Sequence, residues 1–196
     1  MATSVTRSIR NIKSRISRAI SLILTILLYG NIIAAAATAP TKEYQIKAVF
    51  LLNFTQFVEW PARAFPDSGK PLVVGILGDD PFNTYLDDVV RGEIVQNRSI
   101  RIERYHSAEE IKTCHILFVS ASEQERFPEI LGLVNSKKIF TVGDSEIFSK
   151  NGGMMSFVIR SGKIHLQVNL EAVKAANLSI SSKLLRLAEV ISPGTG

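Results

Sequence analysis

The chain of 196 residues contains little cysteine and little histidine, the residue types on which many catalytic and metal sites depend. Cys114 is the single cysteine, so no disulfide can form within the chain. It lies in the apolar run CHILFVS, and we expect a buried structural thiol in a strand. The scattered histidines lack a His-x-x-His-type spacing, which argues against a metal site and predicts no cofactor. They are His106, His115 and His165.

Acidic residues are missing from the first 37 residues, which carry five of the 23 basic residues. The 18 remaining basic residues equal the 18 acidic ones, so the rest of the chain is neutral although the formal net charge is +5. A neutral body gives no electrostatic reason to expect a nucleic-acid partner.

The start of the chain has the pattern of a targeting segment. A basic region precedes the apolar run AISLILTILLYGNIIAAAA, which ends in small residues, and we expect cleavage after Ala37. An uncleaved signal anchor and a mitochondrial transit peptide are the alternatives. With a signal or an anchor, the positive charge stays in the cytoplasm and residues from about 38 onward lie outside. No cysteine lies near the cleavage point, which excludes a lipid-anchored lipoprotein. We therefore assign residues 1–37 to the signal and 38–196 to a single domain.

The segment AVFLLNFTQFVEWP, residues 48–61, predicts a helix over 42–59 that the Trp60-Pro61 step ends. Only eleven uncharged residues separate Lys47 from Glu59, whereas a spanning helix needs about 20. A helical wheel predicts one core face. Its members are Ile46, Val49, Phe50, Asn53, Phe54, Phe57 and Trp60.

Asn53 interrupts this predicted face. A buried amide needs a hydrogen-bond partner, so we expect a bond to backbone or a neighbouring side chain, with a ligand contact as the alternative. Leu51, Leu52 and Val58 are apolar outside the face. A helix that is apolar nearly all round needs a second cover, which is either a neighbouring helix or another protein chain.

Downstream, short apolar strands alternate with helices. This alternation predicts a single-domain three-layer α/β/α sandwich, with a mainly parallel sheet of five or six strands and a C-terminal antiparallel hairpin at Ser161-Gly162. We predict strands over 72–77, 99–105, 115–120, 138–143, 154–160 and 163–169. We predict helices over 80–90, 122–135, 169–177 and 182–191, with a short helix after Ser107 and another that Asp144 caps.

Polar residues follow two of the predicted strands, where ligands bind in open α/β sheets. They lie in GDDPFN, residues 78–83, and in GDSE, residues 143–146. Asp79, Asp80, Asn83 and Asp144 are therefore the ligand-binding candidates, although the same residues cap helices and form turns. The carboxylates disfavour an anionic ligand. No Gly-x-Ser-x-Gly elbow and no paired histidine and nucleophile appear, so we expect no enzyme.

Five phrases together resemble the YfiR family of bacterial envelope proteins. They are KAVFLLNFTQFVEWP, VGILGDDPF, CHILFVS, NGGMMSFVI and ISSKLLRLA, in the family's order and across the mature chain. The resemblance implies a periplasmic α/β protein without enzymatic activity, which represses a membrane diguanylate cyclase through that enzyme's periplasmic region. Some members also carry cysteine pairs that respond to redox state, which Cys114 alone cannot provide within the chain.

Two functions from different classes stay open. One is a signalling repressor that acts by protein contact, with a homodimer possible; the other is a small-molecule binding module serving a sensor or uptake system. An exposed apolar surface would indicate the first function, and a closed pocket the second. The structural or partner-contact candidates are Asn53, Phe57, Trp60, Leu184 and Leu187.

Overall fold

A computed structural model of the protein describes residues 39–61, 64–65 and 69–192, and these residues belong to one compact unit. The predicted targeting segment, residues 1–37, lies outside them. The helices are α1 (Lys42–Phe57), α2 (Tyr85–Val90), α3 (Phe127–Val134), α4 (Glu146–Lys150), α5 (Leu170–Ala175) and α6 (Ser182–Leu185). The strands are β1 (Val58–Glu59), β2 (Leu72–Leu77), β3 (Ile94–Val95), β4 (Arg98–Tyr105), β5 (Ile116–Val119), β6 (Phe140–Gly143), β7 (Met155–Arg160), β8 (Lys163–Asn169), β9 (Ser179–Ile180) and β10 (Ala188–Ile191).

Eight of the described strands form one sheet in the order β3-β4-β2-β5-β6-β7-β8-β10. The five strands from β4 to β7 in this order are parallel, and β7 turns back into β8 as an antiparallel hairpin. Ser161 and Gly162 both have positive φ, as a two-residue hairpin turn requires. The prediction of an α/β sandwich with a mainly parallel sheet and a terminal hairpin is confirmed.

The two faces of the sheet carry separate cores. One core lies beneath α1, α2 and the C-terminal elements, and includes Phe54, Phe140 and Phe157. The other lies beneath α3 and α4, and includes Phe127 and Phe148, whose rings meet edge to face. Every residue of β2, β5 and β6 is buried, as expected for strands that helices cover on both sides.

The sheet is larger than predicted, because β3 and β10 extend its two edges. The predicted helix 182–191 is wrong beyond Leu185: residues 188–191 form β10, parallel to β8. The alternation in AEVI fits an edge strand as well as a helix, and the free edge of β8 decides between them. Residues 58–59 also leave the predicted first helix and pair with β9 as a separate two-stranded sheet.

Several helix starts also differ from the prediction. The helix predicted from residue 80 begins at Tyr85, because Asp80 closes a turn onto the backbone N–H of Phe82 instead. Ser120, not Ser122, caps the 3-10 turn at 121–126 that leads into α3. The segment after Ser107 is a single 3-10 turn. No helix among the described residues has the length and apolar character needed to cross a membrane.

Candidate functional site

The loop after β2 holds three of the predicted ligand residues, and Arg104 of β4 organises it. The Arg104 guanidinium donates to Asp80 at 2.7 Å, to Asp87 at 2.6 Å and to the Asn83 carbonyl at 2.7 Å. The hydrogen bond with Asp87 is the main reason why the pKa of Arg104 is raised, with Asp80 adding to it. Asp80 and the Asn83 carbonyl thus serve as internal acceptors for this arginine.

Asp79 and the glycine before it are held against the chain itself. Asp79 is exposed, and its backbone N–H donates to the Ser122 hydroxyl at 3.0 Å. Gly78 has a φ of +87°, and a Cβ there would lie 2.6 Å from that hydroxyl. The space beside Gly78, which we predicted for a ligand, is therefore filled by Ser122 in the segment after β5.

Asp144, the fourth ligand candidate, faces α1. Its side chain and that of Lys47 are each 3% exposed, and the two form an ion pair. The Tyr44 hydroxyl donates to Asp144 Oδ2 at 2.7 Å, and Glu43 also pairs with Lys47. Burial, followed by this hydrogen bond, raises the pKa of Tyr44. We call Glu43, Tyr44, Lys47 and Asp144 the buried charge cluster.

The predicted capping role of Asp144 is wrong, because Ser145 occupies the N-cap of α4 while the Asp144 carboxylate binds α1. Gly143, which precedes Asp144, packs against Phe148: a Cβ there would lie 2.1 Å from the Phe148 ring. Asp79, Asp80 and Asn83 thus share one loop, whereas Asp144 belongs to a separate network. Polar groups of the chain itself satisfy Asp80 and Asp144.

The buried charge cluster reverses the expected orientation of α1. The buried residues on the helix include Lys47, Ala48 and Thr55, which the wheel placed away from the core. Ile46 and Val49, assigned to the core face, are 43% and 44% exposed. The predicted core face is therefore wrong at Ile46 and Val49, whereas Phe54 is fully buried. The other aromatic residues of the face are partly buried and pack against the core; they are Phe50, Phe57 and Trp60.

An apolar groove lies between α1 and the β7–β8 hairpin. Ile46 and Phe50 form one wall, and Ile159 and Ile164, which are partners across the hairpin, form the other. Ile159 is 47% exposed. The groove is open and encloses about 550 Å³. Lys42 and Lys163 also line it, and we call this surface the α1–hairpin groove.

The side chains of Lys42 and Lys163 are both exposed. No ion pair to either is found among the described residues. The α1–hairpin groove therefore combines apolar walls with two lysines and one acidic residue, Glu43, at its rim.

The partner-contact candidates occupy different environments. Leu184 is buried in the core, whereas Leu187 is 63% exposed beside the edge strand β10. Phe57 is half-buried, and its carbonyl accepts a hydrogen bond from the Ser181 N–H at 2.8 Å. Asn53 is half-buried as well, and among the described residues no hydrogen bond is made by its amide. This departs from the prediction of a buried, bonded amide.

Trp60 lies against Phe65 and His115 at the opposite end of α1 from the groove. The imidazole of His115 stacks on Phe65 at 4.6 Å, and its Nδ1 accepts the Val73 N–H at 3.0 Å. Burial lowers the pKa of His115. Cys114, next to it, is buried, and burial raises the pKa of its thiol to about 12. The side chains in this region therefore pack against one another, and the Cys114 thiol is buried and neutral.

Sequence patterns alone did not identify the residues of the groove. Ile159 and Ile164 were placed on strands without a role, and Ile46 was placed in the core. The available signal was the all-round apolar character of α1, which indicated that a second cover is needed. The side of α1 that is left exposed depends on the contact between Lys47 and Asp144. These two residues are 97 positions apart in the chain, so no local pattern shows the contact.

Comparison with known proteins gives one family. The family model DUF4154, described as YfiR/HmsC-like, matches residues 44–189. No curated protein sequence matches the chain. A structural search finds the ABC domain in complex with L-Trp from Streptococcus pneumoniae, at a TM-score of 0.46 and 14% sequence identity. That match covers 61% of this chain and 55% of the other chain.

Proposed function

Since the chain belongs to the YfiR/HmsC-like family, we propose that it is an exported regulator without catalytic activity. It binds the periplasmic part of an inner-membrane diguanylate cyclase, holds that enzyme in its inactive state and thereby lowers cyclic-di-GMP. The observation that carries this proposal is the solvent-facing apolar side of α1, where Ile46 and Val49 are more than 40% exposed. An exposed apolar surface indicates contact with a protein, whereas a small-molecule module would need a closed pocket.

Repression of this kind requires a minimum difference in binding free energy between the two states of the cyclase. To move the cyclase from 99:1 active to 1:99, the regulator must bind the inactive state about 10⁴-fold more tightly than the active one, a difference of about 5.5 kcal/mol. A few buried apolar anchors at the centre of an interface supply a difference of this size. A stoichiometric binding protein therefore suffices, without any chemical step.

The test is deletion of the gene in its native bacterium, with measurement of cellular cyclic-di-GMP. We expect the level to rise on deletion and to return when the full chain is expressed from a plasmid. A matched plasmid that lacks the codons for residues 2–37 should fail to restore it, because the regulator then stays on the wrong side of the membrane. Unchanged cyclic-di-GMP on deletion refutes the proposal.

A further inference from the structure

Asn151 and Gly152 form the turn that leads from α4 into β7, at the start of the phrase NGGMMSFVI. Of the asparagines in the chain, Asn151 alone is followed by glycine, and its side chain is exposed to solvent. The backbone nitrogen that follows an asparagine can attack the side-chain amide carbon. A glycine in that position hinders the attack least, because it has no Cβ.

We infer that Asn151 is a site of spontaneous covalent modification and that the folded turn restrains the reaction. The Gly152 nitrogen loses its proton and bonds to Asn151 Cγ, while the bond from Cγ to Nδ2 breaks and the amide leaves as ammonia. The cyclic imide that forms then takes up one water molecule. Cleavage of the imide at Cγ gives aspartate. Cleavage at the main-chain carbonyl gives isoaspartate, in which the chain runs through Cβ and Cγ. No oxidant or reductant takes part.

Two hydrogen bonds engage the reacting groups in the folded chain. The Asn151 Nδ2 group, which must leave, donates to the Ile147 carbonyl at 2.8 Å. The Gly152 N–H, which must lose its proton, donates to the Ser149 carbonyl at 3.3 Å. Both acceptors belong to α4, so the Asn151 side chain turns back along the helix instead of toward the Gly152 nitrogen. The imide can therefore form only after the end of α4 has opened.

The main chain just after the turn is tightly packed, so modification should disturb it. Gly153 lies against Phe148, and a Cβ on this glycine would be 2.2 Å from the ring. The Gly153 N–H donates to the Phe148 carbonyl at 3.0 Å, and the Met154 N–H donates to Oγ1 of the buried Thr141 at 3.1 Å. The extra main-chain carbon of isoaspartate would displace these groups. Isoaspartate at position 151 should therefore destabilise the fold.

The experiment uses the protein purified from the native envelope, incubated at mildly alkaline pH either folded or in concentrated urea. Mass spectrometry of its peptides measures conversion of each amide to a carboxylate, and enzymatic methylation detects isoaspartate. In urea, Asn151 should be modified faster than Asn135, the matched reference that precedes Ser136. Modification of Asn151 in the folded protein should be slower than in urea by about tenfold or more, because only molecules with an opened turn react.

Two variants test the chemistry itself. Asn151→Gln keeps a side-chain amide but must close a larger ring, so position 151 should stay unmodified in urea over the same period. Gly152→Ala adds a Cβ beside the attacking nitrogen and should slow the reaction several-fold. The alanine variant is compared in urea, because Gly152 has a φ of +99° in the fold and alanine would be strained there.

The possible results separate the parts of the inference. Equal modification of Asn151 and Asn135 in urea overturns the assignment of the site. Equal rates for Asn151 in the folded and unfolded protein overturn the restraint by α4. The fraction that contains isoaspartate, refolded from urea, should unfold at a lower urea concentration than the unmodified fraction, and equal midpoints overturn the packing argument. The proposed function does not enter this experiment, since deletion of the gene tests it separately.

Discussion

Lys47 carries a charge into the core, and its contacts determine what its replacement costs. Asp144 is its buried partner, and Tyr44 is the second group on that carboxylate. The Lys47 amino group also lies 4.6 Å from the centre of the Tyr44 ring. Without the lysine, Asp144 would stay buried with a single neutral donor.

We therefore expect Lys47→Met to lower the free energy of unfolding by about 3–5 kcal/mol, the cost of leaving one charge of a buried pair without its partner. Urea unfolding measures the change. Lys47→Met/Asp144→Leu should recover most of the loss, since no buried charge is then left. Lys150→Met, which removes an exposed pair with Glu146, should cost less than about 1 kcal/mol. An equally small cost for Lys47→Met would contradict this account.

His115 gives the fold a dependence on pH. Its Nδ1 accepts the Val73 N–H, so the ring is neutral at this nitrogen in the folded state, and burial lowers its pKa below the ordinary value of 6.5. The unfolded chain then binds more protons than the folded one below pH 6.5, so stability is lost as the pH falls through 6.5 toward the folded pKa.

In urea titrations from pH 8 to pH 5, the slope from this residue should reach at most about 1.4 kcal/mol per pH unit. His115→Asn keeps an acceptor for Val73 and should remove that component of the slope. His165→Asn, at an exposed histidine, should leave it in place. Equal slopes in all three proteins would show that His115 does not titrate in this way.

At the scale of the element, α1 shows where sequence reasoning succeeds and where it fails. The length of the helix and its end before Trp60-Pro61 were predicted within two residues, because both depend on local chemistry. The orientation of α1 was not predicted, because a helical wheel sorts side chains by polarity and places Lys47 on the solvent side. The counter-charge that buries Lys47 comes from Asp144, and no local pattern contains that contact.

The two sides of α1 should respond differently to truncation. Leu51→Ala removes a fully buried side chain and should cost about 2–5 kcal/mol. Val49→Ala, on the exposed side, should change stability by less than about 1 kcal/mol. Urea unfolding of both variants decides the orientation. A larger loss for Val49→Ala than for Leu51→Ala would restore the face that the wheel predicted.

The same reasoning explains the rest of the sheet. Strands β2, β5 and β6 were predicted from the sequence, because a continuous apolar run is typical of a strand that is covered on both sides. Strand β10 was not predicted, because an edge strand of four residues takes its conformation from β8, the neighbour with which it pairs. The candidate ligand loops were found by position, whereas their internal partners, Arg104 and Lys47, became visible only in three dimensions.

For the whole molecule, export is the property that the proposed function requires, and cleavage of the signal is the form of export that we expect. The small residues Ala35 and Ala37 predict that the mature chain starts at Thr38. Intact-mass measurement of the protein purified from the native envelope should give the mass of residues 38–196. Expression with Ala37→Leu should slow this processing, since the site requires a small residue. Retention of the first 37 residues by the wild-type chain would favour an anchor instead.

The pairing of β1 with β9 has a consequence for how the protein is made. Glu59 of β1 accepts a hydrogen bond from Ser179, 120 residues later in the chain, and Leu184 completes the core that α1 begins. During synthesis the first helix therefore emerges long before the segment that covers its end. Contacts this distant in sequence form slowly. The nascent chain thus stays incompletely folded until its last elements appear, which is the state that the export we propose requires.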